Sequence, residues 1–189
     1  MRKARLILLL ILPYCLIELS CGHSLTRSVA AQLINKRLGY PKPDAKAIRV
    51  GDDSLGWEGE SPDLFHAMGG VELGKYKDAG LINITELKYS TERRGGRMLT
   101  TANFTVELTG EGRRYLISQE KSRATVRRCS WVLVEVTGIA FFEDKSRARA
   151  EFTSRCSDIT PFGVADGIDE SQLQSGSIDM QLYDDGWRA

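Results

Sequence analysis

The sequence predicts an α+β fold with N-terminal helices packed on a curved antiparallel sheet of four to six strands. Two features of the pattern and one of its punctuation carry this. Apolar residues recur at helical spacing before about residue 80 and alternate with a period of two after it. Turn residues, not crossover helices, separate the alternating runs, which is the mark of antiparallel pairing. The 189 residues fit a single domain, and no linker or internal repeat divides them.

Residues 24–38 read as an amphipathic helix through Val29, Ala30, Leu33, Ile34 and Leu38, with Ser24 or Thr26 as cap and Gly39-Tyr40-Pro41 as stop. Residues 47–50 form a short edge strand, and residues 51–60 a polar loop carrying Trp57. Ser61-Pro62-Asp63 starts a second helix, broken at Gly69-Gly70 and stopped at Gly80. Ile82, Ile84, Leu87 and Tyr89 make a strand with a slip in phase, the sign of a bulge.

Further along, Phe104, Val106 and Leu108 line one face of a half-buried strand, and Thr109 to Gly112 form a turn or one helical turn. Residues 126–142 are a long strand kinked at Thr137-Gly138, and residues 143–146 turn the chain. Ala148, Ala150 and Phe152 then face inward while Arg147, Arg149 and Glu151 face out. Residues 157–176 read as loop, Ile178, Met180 and Leu182 as a strand, and Asp184-Asp185-Gly186 as a hairpin turn.

The first twenty residues have a different purpose. Arg2, Lys3 and Arg5 precede an apolar run from Leu6 to Ile17, too short for a comfortable bilayer span but suited to a secretory signal peptide over residues 1–20. Leu19-Ser20-Cys21-Gly22 follows directly and resembles the lipobox of bacterial lipoprotein precursors, although Glu18 stands where that motif has an aliphatic residue. The resemblance implies cleavage before Cys21, lipidation of Cys21, and residues 21–189 as an envelope domain tethered to the membrane and facing the periplasm. Gly22, not an acid, follows the cysteine, so retention at the inner membrane has no signal and the outer membrane is favoured. The alternatives are cleavage after Gly22, giving a soluble periplasmic or secreted chain, and an uncleaved anchor.

Cysteine usage agrees with export. Cys15 leaves with the signal and Cys21 takes the lipid, which leaves Cys129 and Cys156 as an even pair for a disulfide in an oxidising compartment. Removal of residues 1–20 leaves 23 basic and 24 acidic residues. A nearly neutral chain has no general affinity for nucleic acid.

The order of elements, closing with Tyr183-Asp184-Asp185-Gly186-Trp187-Arg188, resembles the cystatin-like and nuclear-transport-factor-like families. The resemblance implies a sheet wrapped over a helix, with a cone that can hold a small ligand. Trp57, Tyr76, Phe104, Trp131, Phe141, Phe152 and Trp187 are the aromatics available to line it. A fold-level likeness brings no activity with it.

Catalytic and metal-binding patterns are missing from the sequence. The two histidines, His23 and His66, are isolated, and no close-spaced ligand pair for zinc occurs. Glu58, Glu60 and Asp63 do not follow an EF-hand spacing. There is no nucleophile elbow or phosphate-binding glycine motif. Arginines crowd at residues 93–97, 113–128 and 147–149 without interleaved aromatics, which reads as the solvated outside of a sheet. The expectation is therefore a non-catalytic binding or interaction domain with no cofactor. It would be held to the membrane by a lipid anchor and have an envelope protein or small ligand as partner. A small secreted enzyme using the cone is the rival from another class.

Overall fold

The computed structural model describes residues 24–59 and 71–189. Nine strands and four short helices make up the described residues: α1 Arg27–Leu38, β1 Lys42–Arg49, β2 Gly51–Glu58, α2 Val71–Asp78, β3 Ile82–Arg94, β4 Arg97–Leu108, α3 Gly110–Arg113, β5 Leu116–Glu120, β6 Arg123–Phe141, β7 Arg147–Ser157, α4 Pro161–Ala165, β8 Leu173–Tyr183 and β9 Gly186–Arg188.

The strands form two antiparallel sheets, where the sequence predicted one. The first has six strands in the order β1-β6-β7-β8-β9, with β5 also paired to β6. The second has three, in the order β2-β4-β3. The chain passes from one sheet to the other at Val50-Gly51. Gly51 takes a φ of 84°, which glycine adopts without strain, and the backbone turns there in a single residue. Residues 51–58, read as loop, are thus an edge strand. Asp52, Ser54 and Gly56 face outward, and the polar Asp53 sits on the inward face with Leu55 and the buried Trp57, which obscures the alternation.

The helices are shorter and more dispersed than predicted. Among the described residues only α1 precedes the strands. Thr26 caps it by accepting from the Val29 amide, and Gly39, at φ 69°, ends it. α1 lies on the first sheet, where Ala30 and Ile34 meet Val136, Ala148, Ala150, Met180 and Trp187. The predicted helix over residues 61–79 overlaps the described residues only as α2.

A second core fills the space between the sheets. Ile48, Ala124 and Val126 of the first sheet, with Val50 at the crossing, meet Ala102, Phe104, Val106 and Leu108 of the second, closed off by Tyr76 from α2 and Phe162 from α4. Two predicted irregularities occur where expected. β3 shifts register between Thr85 and Lys88 with Glu86 at φ 54°, and β6 shifts between Val136 and Gly138. The turn at Asp184-Asp185-Gly186 connects β8 to β9 as predicted. Among the described residues no helix is long and apolar enough to cross a membrane.

Candidate functional site

The region read as loop after β7 builds the most elaborate polar cluster in the described residues. Thr160 caps α4, accepting from the Gly163 amide, while its hydroxyl lies 2.7 and 3.0 Å from the carbonyl oxygens of Arg127 and Arg128 on β6. Gly163 comes so close to β6 that a Cβ there would sit 2.4 Å from the Arg128 carbonyl oxygen. The absent side chain is what lets α4 lie on the strand. Phe162 is fully buried edge-on to Tyr76 and Tyr115. These contacts fix the end of α4, and with it Asp166.

The Asp166 side chain is 5% exposed and accepts from three elements. Lys75 Nζ and the Tyr76 hydroxyl of α2 reach its Oδ1 at 2.5 and 2.7 Å. Arg128 of β6 and Lys46 of β1 reach its Oδ2 at 3.1 and 3.4 Å. Arg128 turns its other amino group to Asp44 at 2.7 Å, and Lys46 also pairs with Glu72 at 2.6 Å. Three cations thus face three carboxylates, and the cluster is electrically balanced.

Titration behaviour follows from this geometry. Burial by itself would raise the Asp166 pKa. The hydrogen bonds from Lys75, Tyr76 and Arg128 and the charge of Lys46 outweigh it and bring the pKa down to about 2. Tyr76 moves the other way. Burial and its hydrogen bond to a carboxylate push the phenol up to about 12. Burial works against the Lys46 charge, but the bond to Glu72 and the field of Asp166 more than offset it, so its pKa is raised. Near neutral pH each of these three groups is locked in one protonation state. None of Asp166, Tyr76 and Lys46 is poised to exchange a proton there.

A cleft of about 280 Å³ opens beside it, lined by Asp44, Arg128, Trp131, Gln172, Gln174 and the chain after Asp166. The disulfide Cys129–Cys156, with Cα atoms 5.6 Å apart, ties β6 to β7 at this place and confirms the predicted pairing. The Asp44 carboxylate lies within 4.8 Å of both sulfurs. Bonded to each other, those sulfurs are not the thiolates that a metal requires. Arg128 Nε is buried without a hydrogen-bond partner, on a residue that lines the cleft.

Other sequence candidates lie elsewhere. Cys21, His23, Glu60, Asp63 and His66 are outside the described residues. Glu58 pairs with Arg97 on the surface at 3.4 Å. Of the seven aromatics proposed for a cone, Trp57, Tyr76, Phe104, Phe152 and Trp187 are buried in the two cores, Trp131 lines the cleft, and Phe141 is exposed. The arginine crowds do not form one cationic face. Arg128 turns inward to acids, while Arg147 and Arg149 pair with Asp144 and Asp179. Sequence reasoning missed Asp166 and Lys46. Their one signal was Thr160-Pro161, a cap followed by proline at the first helical position, in a stretch taken for loop.

No family model, curated protein or solved structure matches the chain.

Proposed function

We propose that the chain is a non-catalytic binding module of the bacterial cell envelope, tethered by acylation of Cys21 and facing the periplasm. The observation that carries the non-catalytic part is the cluster around Asp166. The Asp166 carboxylate beside the cleft, 5% exposed, is held ionised by four donors, so it serves as a fixed charge and not as an acid or base. The cleft offers a ligand the half-buried Trp131 and the amides of Gln172 and Gln174. Such a lining suits a polar, uncharged group, because the charges at its floor already neutralise one another.

The envelope part rests on the basic and apolar start, on Leu19-Ser20-Cys21, and on a disulfide of the kind found in oxidising compartments. α1 against one face of a curled sheet supports reading that half of the molecule as a cystatin-like arrangement. Glu18 favours a second reading, in which cleavage after Gly22 releases a soluble exported chain. Intact mass of the mature protein from a membrane fraction separates the two. A chain that begins at Cys21 and carries a diacylglyceryl group and an acyl chain is expected. An unmodified chain that begins at His23 in the soluble fraction overturns the anchor.

A further inference from the structure

Strand register places the cleft on one face of the first sheet, between its two cores. On β1, Asp44, Lys46 and Ile48 alternate on this face, and Ile48 belongs to the core between the sheets. On β7, Phe152, Ser154 and Cys156 alternate, and Phe152 belongs to the α1 core. Asp44 stands opposite Cys129, Trp131 opposite Cys156, and Ser154 opposite Gln174. The indole, the disulfide and the Gln174 amide therefore share the stretch between the cores. The register shift between Asp44 and Ala45 leaves Arg128 as an extra residue in β6, a bulge of the kind that redirects a side chain. Both of its amino groups are spent on Asp44 and Asp166. The Gln172 and Gln174 amides and the Trp131 indole N–H, by contrast, are spent on no other described residue.

We propose that the cleft takes one pyranose ring of a neutral saccharide, stacked on Trp131 and held at its hydroxyls by Gln172 and Gln174. The inference deepens the binding reading above and rests on it. A sugar ring has a face of C–H bonds, which an indole covers as it covers any apolar surface, and an edge of hydroxyls. Each hydroxyl both donates and accepts, so it matches amides, which do both, and the carboxylates of Asp44 and Asp169, which only accept. The cleft, at about 280 Å³, has room for a ring and not for a long segment of chain.

Charge selects against the other classes. Arg128 is the one cationic residue among the described residues lining the cleft, and its engagement with two acids leaves nothing for an anion. A cation would meet carboxylates already in use: Asp44 holds Arg128, and Asp169 accepts from the amide and hydroxyl of Ser171 at 2.8 and 2.7 Å. The Cys129–Cys156 bond ties the strand of Trp131 to β7, so the platform is fixed before a ligand arrives.

The test titrates the full mature chain with cellotetraose, maltotetraose and tetra-N-acetylchitotetraose, following the indole N–H resonances by NMR with Trp131→Phe for assignment. Trp57 and Trp187, 4% and 8% exposed in the cores, are internal references. The expected result is movement of the Trp131 resonance alone with at least one saccharide, at a Kd of about 1 mM or tighter. Trp131→Ala should weaken binding about tenfold or more. Gln172→Ala with Gln174→Ala should weaken it about tenfold, and both side chains are exposed, so this variant separates a lost contact from a lost fold. Movement with choline or N-acetyl-trialanine amide, and with no saccharide, overturns the inference and leaves a binding cleft for another class of ligand. Cleavage of a saccharide during the titration overturns the non-catalytic reading and leaves the ligand class standing. No movement with any probe, or a Kd unchanged by both alanine variants, overturns the inference.

Discussion

The first sheet is held at its two ends by opposite kinds of physics. At one end α1 sets Ala30 and Ile34 onto Val136, Ala148, Ala150 and Met180, an apolar contact that needs only complementary shape. At the other, α2 and α4 are drawn to β1 and β6 through Asp166, whose neighbours are two lysines, an arginine and a tyrosine. An apolar contact tolerates exchange among residues of similar volume. A buried charge cluster is less tolerant, because removing Asp166 takes a shared counter-charge from Lys46, Lys75 and Arg128 at once. The difference explains why the candidate cleft lies at the charged end: polar groups fixed in direction can select a ligand, and methyl groups cannot.

Substitutions at the two ends should separate these modes. Asp166→Ala leaves Lys46, Lys75 and Arg128 short of a partner and is expected to cost about 3–5 kcal/mol in chemical denaturation at neutral pH. Ile34→Ala, fully buried beneath α1, is expected to cost about 2–5 kcal/mol from lost burial and the cavity left behind. The sharper distinction is in pH. The Ile34→Ala penalty should be the same at pH 3 and pH 7, and the Asp166→Ala penalty should shrink in acid.

Removing the disulfide with Cys129→Ala and Cys156→Ala opens a loop of 27 residues and is expected to cost about 3 kcal/mol. Cys129 adjoins Arg128 in sequence. Hydrogen exchange in this variant should therefore quicken first around α4 and the middle of β6, with α1 following only on global unfolding. Uniform loosening of both ends would break the comparison.

A smaller effect concerns acid alone. The folded pKa of Asp166, about 2, lies below its ordinary value of 3.8. Its contribution to stability is therefore complete above about pH 4 and is lost as pH falls through 2. Linkage puts that contribution at about 2 kcal/mol. Denaturation midpoints measured between pH 5 and pH 2 should fall in the wild type, with this share of the fall missing in Asp166→Asn.

The same contrast sets what could be read from the sequence. The α1 end was legible because its signals are local: a helical stripe, alternating alanines in β7, and a turn at Asp184-Asp185-Gly186. The Thr85–Lys88 slip and the Val136–Gly138 kink were legible for the same reason, as breaks in a period. The charged end was not. Lys46, Lys75, Arg128 and Asp166 lie far apart in the chain, and each looks like any surface charge until the fold gathers them. β2 was hidden by Asp53, a polar residue on its inward face, and α4 by its five-residue length, too short to show a period. The Cys129–Cys156 pair was found by counting, which does not depend on distance along the chain.

The most direct measurement is the ¹³C chemical shift of the Asp166 carboxyl carbon, followed by NMR across acid pH and assigned with Asp166→Asn. A midpoint near pH 2, with the resonance constant from pH 4 to pH 8, is the predicted result. It would establish a carboxylate fixed by its four donors beside the cleft. A midpoint at or above pH 4 would contradict the account, because the carboxyl group would then be free to take up a proton and the charged end would not be held as described.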